Sequence, residues 1–422
     1  MYILYNDTRY RELKSLTFAP QVDILGNELV VNEFKAEIIT DDDITIGKYA
    51  KLCGKSGRVW AYYRITESQR LSPHSVTIKA QSDILILDRK VLPAMMCNNT
   101  SAKTIINGCF TAFGLTCDIA DDLADVNLNG YLPEQTARQR LQWVCFVMGA
   151  YVQSFFNMKC TIKKIDTTKT YIPDYKTFYR PKLSYKDYVT SVTATAYSYT
   201  AGTPGNTDEW VKVGNTTYIQ TSQKASLNNS DAPLDAPDNV VDLSGITIVN
   251  EDNVSGVLSR LADEYFNREQ LSAEILNEGE VQPADMIQVF DGVKSLITGY
   301  VKSASFTFGN SSKSAVVLTQ TVISDAIQVT LSYRYDGIEI DRETFNFPPN
   351  TDYTLQNSYV DVTAAGQRRV YLPLKKETKG NTGGGDTVKR VNCDIALEYQ
   401  DNILSILSVD SVTQSEEVVR IA

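Results

Sequence analysis

RVWAYYRITESQRLSPHSVTIKAQ, residues 58–81, reads as two β-type runs around a polar turn, Ser72-Pro73-His74-Ser75. Residues 296–320 repeat the layout: LITGYVKSASFTF, a GNSSKS turn, then AVVLTQ. Both copies end in an alternating strand closed by Ala-Gln or Thr-Gln. A duplicated β unit explains the echo; the general likeness of alternating strands also explains it.

Working outward, residues 1–90 read as strands. Glu33–Ile39 alternates, with Phe34, Ala36 and Ile38 on one face, and Ile44, Ile46 and Leu52 flank a break at Gly47. Residues 91–170 change period and read as an α+β insert. Ala102, Ile105, Ile106, Cys109, Phe110 and Phe113 form a helical stripe that Thr100 or Ser101 can cap and Gly114 closes. A second helix begins after Thr136, carries Ala137, Leu141, Val144, Cys145 and Met148, and ends at Gly149. Runs 150–156 and 160–165 then read as a hairpin.

Residues 171–325 return to strands, with Val192, Ala194, Ala196 and Ser198 on one face of Val189–Tyr199. Thr200–Asn215 and Asn228–Asp238 are rich in Gly, Pro, Asn and Asp and read as loops. One helix interrupts: Asp252 or Asn253 caps a stripe of Val254, Val257, Leu258, Leu261, Ala262, Tyr265 and Phe266. Residues 326–422 carry strand-like runs at the spacing of a small β-sandwich, and Lys379–Asp386 (KGNTGGGD) reads as a flexible loop tip. The expected architecture is mainly β with an α+β insert. Its domains run 1–90, 91–170, 171–325 and 326–422.

At 422 residues the chain is long enough for several domains and needs no staples to hold a core. Its net charge of −10 argues against binding nucleic acid through a broad phosphate-neutralising surface. Arg138 and Arg140 read as a solvated helix face. The seven cysteines, at 53, 97, 109, 117, 145, 160 and 393, are odd in number and unframed. They point to synthesis in a reducing compartment such as a bacterial cytoplasm. The opening MYILYNDTRYRELK lacks the layout of a signal peptide, and no apolar run approaches the roughly 20 residues of a spanning helix. An extracellular destination then implies another export route.

The chemistry of enzymes is sparse. His74 is the chain's one histidine, which excludes sites built on several. In a polar turn it reads as a surface residue. No Cys-x-x-Cys, Walker A or dinucleotide fingerprint occurs, and Gly383–Gly385 lacks the strand-to-helix context of a phosphate loop. Asp125, Asn127, Asn129 and Gly130 match the first half of a calcium-binding EF-hand loop. Thr136 stands where the bidentate Glu belongs, and Leu132-Pro133 breaks the second half, so a polar turn is the better reading. Asp41-Asp42-Asp43 and Asp121-Asp122 read as solvated turns rather than as acid/base pairs. Trp60, Tyr62 and Tyr63 suit a core as well as a sugar-stacking face. No catalytic, cofactor-binding or metal residue is assigned.

Two segments carry a family resemblance. One runs from Ser101-Ala-Lys-Thr-Ile-Ile through Phe113-Gly-Leu to Gly130-Tyr-Leu-Pro-Glu-Gln-Thr-Ala-Arg-Gln-Arg-Leu-Gln and Val147-Met-Gly-Ala-Tyr-Val. The other runs from Phe266-Asn-Arg-Glu-Gln-Leu to Val281-Gln-Pro-Ala-Asp-Met-Ile-Gln-Val and Gly299-Tyr-Val. In their order, over residues 1–325, they resemble the baseplate hub proteins of contractile phage tails and phage-tail-like particles. Ala284 departs from the family's Gly-Asp, which puts the local turn in question.

The resemblance implies two related β-barrels of the tail-tube type around the insert. It also implies a homotrimeric, pseudo-sixfold ring joining a tail tube protein to a central spike protein, alongside other baseplate proteins. The chain would assemble in the bacterial cytoplasm and reside in the virion or particle. The competing readings are a tail-tip receptor- or carbohydrate-binding protein and a cell-wall hydrolase. The paucity of His and Cys clusters argues against the hydrolase.

Overall fold

The computed structural model describes residues 1–324 apart from 55–56, 155–158, 173–175, 179–180, 278, 292–294 and 309–311; from 325 to 419 it describes the strands by backbone pairing. The chain forms two compact units. The first comprises Met1–Thr167, Leu183–Asp285 and Tyr300–Thr321; the second comprises Thr168–Lys182, Met286–Gly299 and Val322–Ala422. The protein is mainly β, as the alternation predicts. Among the described residues no helix is long and apolar enough to cross a membrane.

One sheet has thirteen strands among the described residues, eleven of them along a single path. The strands along that path are β1 (Tyr2–Tyr5), β2 (Thr8–Tyr10), β3 (Leu13–Phe18), β4 (Glu33–Ile39), β5 (Tyr49–Cys53), β6 (Val59–Ser72), β7 (Ser75–Gln81), β8 (Lys182–Tyr185), β9 (Glu269–Leu276), β10 (Ser295–Phe308) and β11 (Ser312–Asp325). The order across the sheet is β8-β9-β11-β10-β3-β4-β7-β6-β5-β1-β2. In β4 the predicted face of Phe34, Ala36 and Ile38 is buried and Lys35 is exposed, the period-2 consequence of pleating. The run around Gly47 departs from expectation. Only Tyr49–Cys53 is strand, Gly47 takes φ +87°, and Ile46 is 57% exposed.

The echo noted in the sequence is topological. β3-β4-β7-β6 and β8-β9-β11-β10 are the same four-strand order, each ending in its long hairpin. Equivalent strands pair buried residues in both copies. Phe34 faces Ala80, Ala36 faces Ile78 and Ile38 faces Val76. In the second copy Leu271 faces Leu318, Ala273 faces Val316 and Ile275 faces Ser314. All of these residues are buried.

The insert centres on α1 (Ala102–Thr111) and α2 (Ala137–Met148). Thr136 caps α2 by accepting a 3.2 Å hydrogen bond from the Gln139 amide, and Gly149 closes it in the left-handed region. The third helix, α3 (Val254–Tyr265), was grouped by sequence with the second β region. Its Val257, Leu258 and Leu261 pack in the same core as Ile106, Phe110, Leu141 and Val144. Arg260 ties the two helices further, donating to the Phe146 and Val147 carbonyls at 2.8 and 3.2 Å, where the α2 dipole favours a cation.

Val192, Ala194 and Ala196 are buried, with Ser198 on the same strand exposed. That strand, Ser191–Ala201, pairs with Thr216–Asn228, which in turn pairs with Glu209–Val213. Thr200–Asn215 is therefore not all loop: cross-strand bonds to 216–220 override its polar composition. Cys145 and Cys109 are buried among apolar neighbours, as their helical positions predict.

In the second unit Lys169–Ile172 runs parallel to Met286–Phe290, which buries Ile287 and Val289. Beyond residue 325 lie a five-stranded sheet and a three-stranded sheet. The KGNTGGGD stretch is mostly strand, since Lys375–Thr382 pairs with Gly385–Gln400 and Thr382 faces Gly385. Gly383 and Gly384 lie outside the described residues, as does the side chain of Cys393.

Candidate assembly surfaces

Polar side chains in this fold mostly fasten the chain to itself. The hairpin of β6 and β7 ends beside the Asp41–Asp43 turn. Arg70 donates to the carbonyls of Pro73 (2.8 Å) and Asp42 (2.7 Å) and to the Asp43 carboxylate (2.8 Å). His74 Nδ1 lies 2.5 Å from Asp41 Oδ1, and the His74 carbonyl accepts from the Thr40 amide. Tyr10 donates to Asp42 at 2.9 Å, and burial together with that carboxylate pushes its phenol up to about 12. The three aspartates are thus bound into a clamp, not merely solvated. His74 and Asp41 are about three-quarters exposed, so their contact contributes little stability.

A cavity of about 200 Å³ opens between β5, β6 and the end of α1, lined by Tyr49, Asp83, Phe110, Ser154, Lys159 and Cys160 among others. Tyr49 donates to Asp83 and accepts from Arg64 at 2.6 Å, and burial beside Asp83 raises its phenol to about 12. Burial pushes the Cys160 thiol upward as well. It likewise raises Cys97 and Cys117 to about 11 and Cys109 to about 12. Thiols held protonated are poor nucleophiles.

Asn127 and Asn129 lie in an extended strand, Asn127–Leu132, rather than in a curled loop. Asn129 already accepts from the Asn99 amide at 2.7 Å. Gly130 serves close approach: at φ +125° an added Cβ would sit 2.7 Å from the Thr247 carbonyl. An EF-hand instead wraps its oxygens around one point. Asp121 and Asp122 open a short 3-10 turn on the surface.

Arg140 reverses its expected role. It is 5% exposed and donates to the carbonyls of Pro93 (2.6 Å), Pro133 (3.1 Å) and Leu92 (3.3 Å), while burial lowers its pKa. Arg138 binds the Leu29 carbonyl and, at 2.8 Å, Asp88. Neither forms a free basic face. An i, i+2 pair of arginines at a helix start gave no cue that loop carbonyls would converge on it.

Trp60 and Tyr63 are buried, while Tyr62 stacks on Tyr49 with 5.0 Å between centroids. The Trp60 ring meets Phe306 edge-on at 4.7 Å and Phe308 at 5.6 Å, and Phe306 stacks on Phe18 at 5.8 Å. This aromatic cluster marks the seam between the two β repeats. Along it Phe18 faces Phe306, Gln21 bridges Ser303, Val22 donates to the Lys302 carbonyl and Ala304 donates to the Pro20 carbonyl.

Solved structures share this fold. The 43 kDa tail protein of prophage MuSo2 from Shewanella oneidensis matches with a TM-score of 0.52 at 10% identity, over 75% of this chain and 97% of that one. The tail protein from Neisseria meningitidis MC58 gives 0.53 at 11%, over 75% and 95%. Prophage tail protein gp18 from Listeria monocytogenes EGD-e gives 0.50 at 10%, over 75% and 93%. No protein-family model and no curated protein matches the sequence. The chain has the fold of phage tail proteins.

Proposed function

We propose that this chain is the structural, non-enzymatic hub of a phage or phage-like tail baseplate. Three copies form a pseudo-sixfold ring that joins the tail tube above to the central spike below. What supports this reading is the recurrence of one four-strand order within a continuous sheet. A chain that carries the unit twice presents six similar units in three copies, which reconciles sixfold and threefold neighbours. The likeness in fold to phage tail proteins supports it.

On this reading residues 1–90 and 171–325 are the two tube-type units, 91–170 the insert between them, and 326–422 an accessory β domain. The negative charge of the chain suits a conduit to which DNA does not adhere. The test is cryo-electron microscopy of tail particles carrying a tagged copy of this chain. Density for a threefold ring of the tagged chain between tube and spike is the expected result. Tag density confined to tail fibres would move the function to receptor binding.

A further inference from the structure

Within one chain, the two repeats are joined by an aromatic cluster and by a backbone joint. The end of β3 lies along the outer edge of the second half of β10, from Lys302 to Phe306. The repeat defines the counterparts of both partners: β8 stands for β3, and β6 stands for β10. Among the described residues both counterparts are vacant where the joint would form. β8 ends the sheet, bonded to β9 alone. β6 is bonded on its β5 side as far as Ile65, so the backbone of Glu67–Ser72 is bonded on its β7 side and open on the other. Each vacant edge carries a large exposed apolar side chain, Tyr185 at 60% and Leu71 at 54%. In the intrachain joint the corresponding edges bury Phe18 against Phe306.

We infer that β8 of one copy pairs with Glu67–Ser72 of the β6 strand of a second copy, repeating between chains the joint that β3 and β10 make within one. The inference rests on the hub reading and names the strands that close its ring. The contact is heterologous, since each copy gives one edge and receives at the other. Such contacts close into a ring when the rotation permits. They also cover two edges that would otherwise recruit strands indiscriminately.

Blocked edges test it. The Lys186 amide donates inward to the Arg268 carbonyl. By alternation the Tyr185 amide points outward, so Tyr185→Pro removes an outward donor without breaking the bond to β9. On β6, Ser68→Pro and Gln69→Pro are both made, because successive amides point to opposite sides. The one that keeps the wild-type melting temperature is used. Masses are measured by light scattering across concentrations. The expected result is a wild-type mass of several chains, a mass of one chain for each blocked variant alone, and a mass of two chains when the variants are mixed. An unassembled wild type, a variant that keeps the wild-type mass, or a mixture that stays at one chain overturns the inference. An assembled wild type insensitive to both variants would reject these strands and leave the ring standing. Tag density at the tail tip tests the hub reading independently.

Discussion

Glu264 is a buried carboxylate on α3 whose oxygens accept from Thr319 at 2.9 Å and Gln320 at 3.2 Å. Burial is the largest influence and raises its pKa, against the hydrogen bonds and the nearby Lys302 and Lys186. A carboxyl that holds its proton more tightly folded than unfolded destabilises the fold above its folded pKa. The penalty fades as pH falls through the folded value and is gone below the unfolded one. Glu264→Gln keeps the shape and one acceptor without the charge. The melting temperature of the variant relative to wild type is expected to be higher at pH 8 than at pH 5. A difference that does not change between these pH values would show that the carboxylate is not destabilised by burial.

At the scale of elements, the turn Gln282-Pro283-Ala284-Asp285 shows how an alanine is held at a position that favours glycine. The Asp285 amide donates to the Gln282 carbonyl at 3.1 Å, Pro283 occupies the second position, and Ala284 takes φ +72° at the third. That is the pattern of a type II turn, whose third position favours glycine. Ala284 bears the strain of a left-handed backbone. Its amide still reaches the Val301 carbonyl at 2.7 Å, so the strand after it starts in register. Ala284→Gly is expected to stabilise the protein by about 1 kcal/mol in denaturant unfolding. A loss of stability would mean that the buried methyl outweighs the backbone strain.

At the scale of the whole molecule, the seam decides whether two repeats behave as one sheet. Trp60 lies across it, buried against Phe306 and Phe308. Removing it leaves a void that neither repeat can fill alone. Trp60→Ala is expected to lose about 3–5 kcal/mol of unfolding free energy, read from the denaturant midpoint. A loss under about 1 kcal/mol would place little of the coupling in the aromatic cluster.

What the sequence determined by itself was local. Alternation placed Phe34, Ala36 and Ile38 inward, and helical spacing with Thr136 and Gly149 set the span of α2, because pleat and helix repeat are properties of neighbouring residues. The near-absence of histidine limited the chemistry before any contact was known. The tertiary structure decided everything that depends on partners distant in the chain. It put Arg140 under three carbonyls, drew Glu209–Val213 out of a loop-like composition, and set α3 into the core of α1 and α2. It also made the echo at 58–81 and 296–320 two halves of one sheet and left β8 and the end of β6 open at its edges. Hydrogen-bond partners and burial come from which segments meet, and no local period encodes that.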